Sequence, residues 1–479
     1  MKKRLLIPVI SSLCALFLFS SCKKGEAIEN QAPETYTAIS AINLSGENRL
    51  NSLVTLQWWG TDPDGVVSGY EFSFDQQTWF YTENQDSTFL FSINAGSDTI
   101  DIDFWVRAID ADAAIDETPA YLKIPLKNTP PEIEFNDALI PADTVYTVLG
   151  LTWKASDLDG DNTIKDIQLK LNDGQWTSIN ISQTFGSIIP ADAKTSGAGN
   201  AKVWYDLTTA GPSIDGLLLN QTNNIYIKAI DIAGSESVVD TLQNLYVKGQ
   251  THDILVIAAN GSNPNEFYKS HLNTAGASYD FIDFVKNDAV NQPRVWNPVF
   301  AQMLRFYSTV VMYANDVDFL NVQTNAQEII LEYASTAIQD YVDQGGKLWL
   351  NSSFPNAFST GSALFGILPV DSLSTAQGQA RLPIDSLSIG EQGYPDLTCS
   401  AFISGLDPFY PSIDATVIYT SQLTKNNGWE GPKITGVKRK NGSGNTNFVF
   451  MSVELHKLGK DDAAMQSLFD KVLNEEFNW

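Results

Sequence analysis

Cysteine, histidine and positive charge are all scarce in this chain of 479 residues. Of its three cysteines, Cys14 and Cys22 fall at the extreme N-terminus, leaving Cys399 alone in the remainder. No intrachain disulfide can staple that remainder, so it must rest on large apolar cores. Only three histidines, His252, His271 and His456, are present, which is little material for a zinc site or for imidazole acid–base chemistry. Thirty Lys and Arg stand against 56 Asp and Glu, for a formal net charge of −26. That balance argues against nucleic acid and anionic headgroups as partners, because both require basic patches, and it permits cations and basic surfaces. A glycine-rich phosphate loop with its lysine is also missing.

What is present begins with a three-part leader. Lys2, Lys3 and Arg4 precede an apolar run from Leu5 to Phe19, followed by Ser20, Ser21 and Cys22. This is the layout of a secretory signal, and the run is shorter than the roughly 20 residues of a membrane span. The stretch F-S-S-C resembles the bacterial lipobox, with Phe19 where Leu is commoner. The resemblance implies cleavage after residue 21, lipidation of Cys22 and anchoring to the membrane of the cell envelope, the outer membrane being the expectation, with either face open. Ordinary secretion with an incidental cysteine is the alternative. Residues 22–36 then read as the lipidated Cys and a polar tether.

Two later segments echo each other. L-Q-W-W-G-T-D-P-D-G (Leu56 to Gly65) parallels L-T-W-K-A-S-D-L-D-G (Leu151 to Gly160), so Trp58 matches Trp153 and Asp64 matches Asp159. Trp79 matches Trp176, and F-W-V-R-A-I-D (Phe104 to Asp110) matches I-Y-I-K-A-I-D (Ile225 to Asp231). Tyr70, Phe72 and Phe74 alternate with polar residues, as do Ile167, Leu169 and Leu171, which predicts strands with one buried face. Each copy is expected to bury its early Trp. On these residues the copies, 37–128 and 129–249, resemble immunoglobulin-like and fibronectin type III-like modules, which implies a β-sandwich and says little about ligand. N-T-P-P (Asn128 to Pro131) reads as a joint between modules, and Lys248 to Thr251 as a second hinge. A Gly-, Ala-, Ser- and Thr-rich stretch near Ala191 to Ala201 reads as a long loop.

The Asp-Gly turns carry two readings. Asp157, Asp159 and Asp161, with Asp231 from the A-I-D motif, supply alternating carboxylates of the kind Ca²⁺ takes, and Asp62, Asp64, Asp110 and Asp112 mirror them in the first copy. Asp-Gly is equally a good turn former, and neither copy completes an EF-hand spacing.

After Gly249 the pattern changes. D-I-L-V-I-A-A-N-G (Asp253 to Gly261) is an unbroken apolar run, as expected for a parallel strand buried on both faces. Further strands are predicted at S-Y-D-F-I-D-F-V, Thr309 to Asp316, Lys347 to Asn351 and Asn447 to Glu454, with a helix from about Ala326 to Gln344 and a last one over Asp461 to Phe477. Alternating strand and helix implies a doubly wound α/β domain over 250–479. With Y-V-D-Q-G-G-K-L-W-L (Tyr341 to Leu350) and F-V-F-M-S-V-E-L (Phe448 to Leu455), this domain resembles the class I glutamine amidotransferase-like, flavodoxin-like fold and its trehalose-utilisation relatives, interrupted by an insertion over 356–445.

An active member places a nucleophilic Cys between glycines on the turn after the Y-V-x-x-G-G-x-L-x-L strand. This chain has N-S-S-F-P there, and Cys399 lies inside the insertion. Glutaminase chemistry is therefore not expected. Ser352 or Ser353 as nucleophile and His456 as base remain the candidates for an alternative hydrolase acting on glycan or peptide. Strand ends bearing Asn260, Ser262, Asn315, Asp316 and Asn351 form a hydrogen-bonding rim suited to a sugar or a peptide backbone. Small polar residues also simply end strands. The combined expectation is an anchored, non-catalytic binding or scaffold lipoprotein whose partner is a glycan or an envelope protein, with Ca²⁺ the one candidate cofactor.

Overall fold

The computed structural model describes residues 29–39, 44–46, 49–50, 52–91, 93, 99–141, 143–194, 197–286, 292–354, 361–374, 380–425 and 431–479. The leader and Cys22 lie outside the described residues. Among those described, no helix is long and apolar enough to cross a membrane. The chain forms two compact units. One comprises residues up to Thr129 with Leu158–Gly160; the other comprises Pro130–Asp157 with Asp161–Trp479.

The first unit is a β-sandwich. One sheet pairs Glu34–Ile39, Leu53–Thr61 and Asp86–Leu90. The facing sheet runs Leu44–Gly46, Arg49–Leu50, Ala120–Lys127, Thr99–Asp110, Val67–Ser73, Phe80–Thr82. Strand alternation builds the core: Val54, Leu56 and Trp58 point in from one sheet, and Phe104, Val106, Ala108, Ile124 and Leu126 from the other. Trp58 is 1% exposed and its indole nitrogen donates to the Asn84 carbonyl at 2.8 Å.

The second unit opens with the second sandwich. Glu132–Phe135, Leu149–Ser156 and Phe185–Pro190 face a sheet of Thr144–Tyr146, Asp240–Lys248, Gln221–Asp231, Ile164–Leu171 and Thr177–Ile179. Trp153 is buried like its counterpart Trp58. The fold class is thus as the repeat implied: two fibronectin type III-like sandwiches precede an α/β domain. The stretch read as a loop is different. Gly197–Trp204 is a strand, paired with Phe185–Pro190 on one side and Ala210–Leu219 on the other. Its Gly and Ala content hid the alternation that Lys202, Val203 and Trp204 show.

In the α/β domain five parallel strands lie in the order Tyr279–Asp283, Ile254–Ala259, Thr309–Ala314, Lys347–Ser352, Thr446–Met451. Numbered along the chain this is 2-1-3-4-5, the flavodoxin-like order. Successive residues of each strand enter opposite cores. Leu255, Ile257, Val310, Met312, Leu348 and Leu350 pack with helices Val299–Leu304 and Ile330–Asp343, whereas Val256, Val311, Tyr313 and Trp349 pack with helices Asn265–Thr274 and Asp462–Asp470. Burial on both faces is why the runs are continuously apolar. The long helix starts later than its periodicity implied, because Ala326–Ile329 is a strand paired with Asp318–Asn321.

Within the insertion, Ile434–Lys440, Ala415–Ser421, Leu387–Gly390 and Leu397–Thr398 extend the same sheet antiparallel to nine strands. The stretch Lys248 to Thr251, read as a hinge, is tied down by hydrogen bonds. Gln250 is buried; its backbone N–H donates to the Ala193 carbonyl at 2.8 Å and its side-chain amide to the Phe306 carbonyl at 2.7 Å. The Thr251 N–H donates to Asp280 at 2.8 Å. Val148 belongs to an α/β-domain core, and Leu139, Tyr146, Phe185 and Ile189 pack against it. Gly150 allows this approach: a Cβ there would lie 2.7 Å from Val299 Cγ2.

Candidate functional site

In an open α/β sheet a ligand crevice forms at the carboxyl ends of the strands where strand order reverses. Here that point lies between Ile254–Ala259 and Thr309–Ala314, whose chains continue into Asn260 and Asn315. The side chains there are engaged with one another. Asn315 Oδ1 accepts from the N–H of Gly261 at 3.1 Å and of Val317 at 3.2 Å, lacing the two strand ends together. Asn260, buried, accepts through Oδ1 from the Ser262 N–H and hydroxyl and donates through Nδ2 to Glu454 at 3.1 Å. Of the predicted rim, only Ser262 and Asp316 are exposed.

Asn351 holds the next strand end. Its Oδ1 accepts from the Tyr268 hydroxyl and from the Leu455 N–H at 3.0 Å; its Nδ2 donates to the Met451 and Val453 carbonyls at 3.3 and 2.5 Å. One buried amide therefore joins a helix, a strand and the turn after the last strand. Tyr268 in turn stacks on Tyr313 with centroids 3.8 Å apart and planes at 2°, and the Tyr313 hydroxyl donates to Asn265, which donates to Asp283. This network went unseen in the sequence. The N-P-N-E-F-Y stretch (Asn263 to Tyr268) offered polar residues at a helix start, which is an ordinary pattern there.

The nucleophile candidates are not assembled. Ser352 ends a strand, is 1% exposed, and donates its hydroxyl to the Ser353 carbonyl at 2.8 Å. Neither Ser352 nor Ser353 has the positive φ of a strained elbow. His456 sits on the turn Leu455–Lys457, with Nε2 3.7 Å from Glu454, and its Nδ1 is buried without a hydrogen-bond partner. Burial pushes its imidazole below the usual pKa; Glu454 opposes that shift and Lys457, ion-paired with Glu454, adds to it. His271 packs between Phe267 and Phe469, and His252 lies 3.2 Å from Asp280. Cys399 is buried and its Sγ donates to the Ala401 carbonyl at 2.8 Å; burial raises its thiol pKa, so it is a poor nucleophile.

The calcium expectation also meets turn chemistry. Asp157 accepts from the Thr163 hydroxyl at 2.8 Å, and Asp161 accepts from the Asp157 N–H at 3.0 Å. Asp159, whose loop tip belongs to the first unit, accepts from the N–H of Ser52 and of Thr129, both at 2.7 Å. Asp231 accepts from the N–H of Gly234 and Ser235 at 2.7 and 2.8 Å, as its counterpart Asp110 does from Asp112 and Ala114 at 2.9 and 2.8 Å. Among the described residues no group of three or more His, Cys, Asp or Glu is arranged to hold a metal. The A-I-D aspartates are turn caps in both copies.

No family model matches the chain, and no curated protein matches it. Likenesses to solved structures are distant. Fibronectin(III)-like modules of Clostridium thermocellum CbhA match 44% of this chain over 94% of their own, at 15% identity and a TM-score of 0.17. A GMP synthase protein from Thermoplasma acidophilum matches 47% over 96% of its own, at 9% identity and a TM-score of 0.26. Agd3, a carbohydrate deacetylase, matches at 13% identity and a TM-score of 0.29, and this chain spans about a third of it. None adds to what strand order already establishes.

Proposed function

We propose that this chain is a lipid-anchored cell-envelope protein that binds a glycan or a protein and performs no catalysis at its strand-end crevice. The observation that carries the non-catalytic reading is the commitment of Ser352 and Asn351. Ser352 donates to its neighbour's carbonyl, and Asn351 is saturated by four partners. A nucleophile must instead meet a base within hydrogen-bond reach. A hydrolase is the second reading, favoured by one feature: His456, half-buried next to Glu454, with its pKa lowered by burial.

Incubation of the lipidated protein with isolated envelope glycans, together with a fluorophosphonate probe, separates these readings. Retention without release of soluble sugar, and no probe on Ser352 or Ser353, is expected. Sugar release abolished by His456→Ala would establish the hydrolase. The anchor has its own test: alkyne fatty-acid labelling should be lost in Cys22→Ala, and equal labelling of the variant and the native chain would refute lipidation.

A further inference from the structure

The solvent face of the three-stranded sheet in the first unit carries an aromatic pair. Tyr36 on Glu34–Ile39 lies opposite Trp59 on Leu53–Thr61, and their rings stack with centroids 5.7 Å apart and planes at 18°. Large aromatic rings are mostly buried in folded proteins, yet these two are 41% and 45% exposed. Glu34 borders them: its carboxylate accepts from the Tyr36 hydroxyl at 2.9 Å. That hydrogen bond and the Glu34 charge, with Asp116 adding to them, hold the Tyr36 pKa above its usual value, so the edge of the pair sits in a negative potential.

No cation answers that potential. The three strands of this sheet contain no Lys or Arg. Among the described residues none pairs with Glu34 or lies over either ring. Elsewhere the molecule shows what such a place holds when filled. On the other sheet of the same sandwich the Arg107 guanidinium lies 4.0 Å from the Trp79 ring centroid and donates through Nε and Nη2 to Glu71 at 2.9 and 2.7 Å. In the second sandwich the positions of Tyr36 and Trp59 are taken by Glu134 and Lys154, opposite each other on the equivalent strands, so the cation there is built in. The first copy has two rings in place of that pair and keeps an acid at Glu34, the counterpart of Glu132.

We propose that Trp59, Tyr36 and Glu34 form a docking site for an arginine side chain of a partner polypeptide, its guanidinium stacked on the rings and hydrogen-bonded to the carboxylate. Charge complementarity selects a cation: the rings present negative faces, Glu34 adds a full charge, and the whole chain carries −26. Arginine fits better than lysine, because a planar guanidinium can stack on a ring and donate to a carboxylate in its own plane at the same time. Arg107 on Trp79 and Glu71 is that arrangement within one chain. The site names a polypeptide partner for the first sandwich. It uses no residue of the strand-end crevice, so it stands or falls independently of the non-catalytic reading given there.

Titration of the whole protein with N-acetyl-argininamide, N-acetyl-lysinamide and N-acetyl-citrullinamide at low ionic strength, followed by ligand-observed NMR, tests it. Citrulline keeps the planar end group of arginine and lacks its charge. Saturable binding of the arginine amide is expected, about two- to fivefold tighter than the lysine amide, with the citrulline amide weaker than both. Trp59→Thr, which removes a ring without changing the charge, should abolish binding. Glu34→Gln should weaken it about two- to fivefold. Both positions are exposed, and circular dichroism confirms that each variant is folded. Arginine binding unchanged by Trp59→Thr would mean a diffuse attraction to an acidic surface and would overturn the inference. Citrulline binding as tight as arginine would overturn it too, by removing the role of charge.

Discussion

The two sandwiches share a sequence pattern and differ in what they belong to. Trp58 and Trp153 occupy the same place in the same strand, and Asp110 and Asp231 cap the same turn. Yet the first sandwich is a compact unit of its own, while the second shares a unit with the α/β domain. The difference lies on outward-facing positions. Three residues before its buried Trp the first copy has Thr55, whose hydroxyl bonds Thr88 at 2.8 Å on an exposed face. The second copy has Gly150 there, beneath Val299. The first copy exposes Tyr36, Trp59, Phe80, Tyr81 and Tyr121, whereas Tyr146 and Phe185 of the second pack against an α/β-domain core. Inward residues make a sandwich; outward residues decide its partners.

The largest expected effects come from the two core tryptophans. Trp58→Ala and Trp153→Ala should each cost about 3–5 kcal/mol. They should differ in reach. Calorimetry combined with labelling of the buried Cys399 thiol should show Trp153→Ala exposing Cys399 at lower temperature, and Trp58→Ala leaving it protected. Equal exposure in both variants would break the distinction between the copies.

A smaller effect is expected from exchanging the outward residues. Gly150→Thr should cost about 1–3 kcal/mol through overpacking against Val299, and Thr55→Gly about 0.5–1 kcal/mol through backbone entropy. Urea denaturation reads both, and a neutral Gly150→Thr would mean that the second sandwich tolerates distance from the helix.

Much of this architecture was readable in advance, because it follows from periodicity. Alternation around Tyr70 and Ile167 marked half-buried strands, and the unbroken run from Ile254 to Ala259 marked a strand between two cores. Less was readable where a residue's role depends on something distant in sequence. Gly150 looks like any strand glycine until Val299 is placed above it. Leu387–Gly390 and Ile434–Lys440 are short and polar enough to pass for loop, and only pairing with a neighbour on each side makes them strands. The site suffered most. Asn260 and Asn351 were legible as polar strand ends, but nothing local says that Glu454, Tyr268 and Leu455 would occupy them.

The last expected effects concern the cations laid on the later matched Trp of each copy. Arg107 lies 4.0 Å from the Trp79 ring centroid and pairs with Glu71 at 2.7 Å, while Lys228 lies 4.9 Å from the Trp176 ring and pairs with Glu236 at 2.8 Å. Arg107→Ala, at a partly exposed position, should cost about 0.5–1 kcal/mol, and Lys228→Ala, at a buried one, up to about 2 kcal/mol. A smaller loss for Lys228→Ala than for Arg107→Ala in urea melts would reverse the ranking that burial implies.

Limited proteolysis of the whole protein, read by mass spectrometry, tests most directly whether the second sandwich and the α/β domain are one unit. The account predicts that every stable fragment retaining the C-terminal helix begins at or before Pro130, with Gln250 and Thr251 protected. A stable fragment beginning near Thr251 would contradict it.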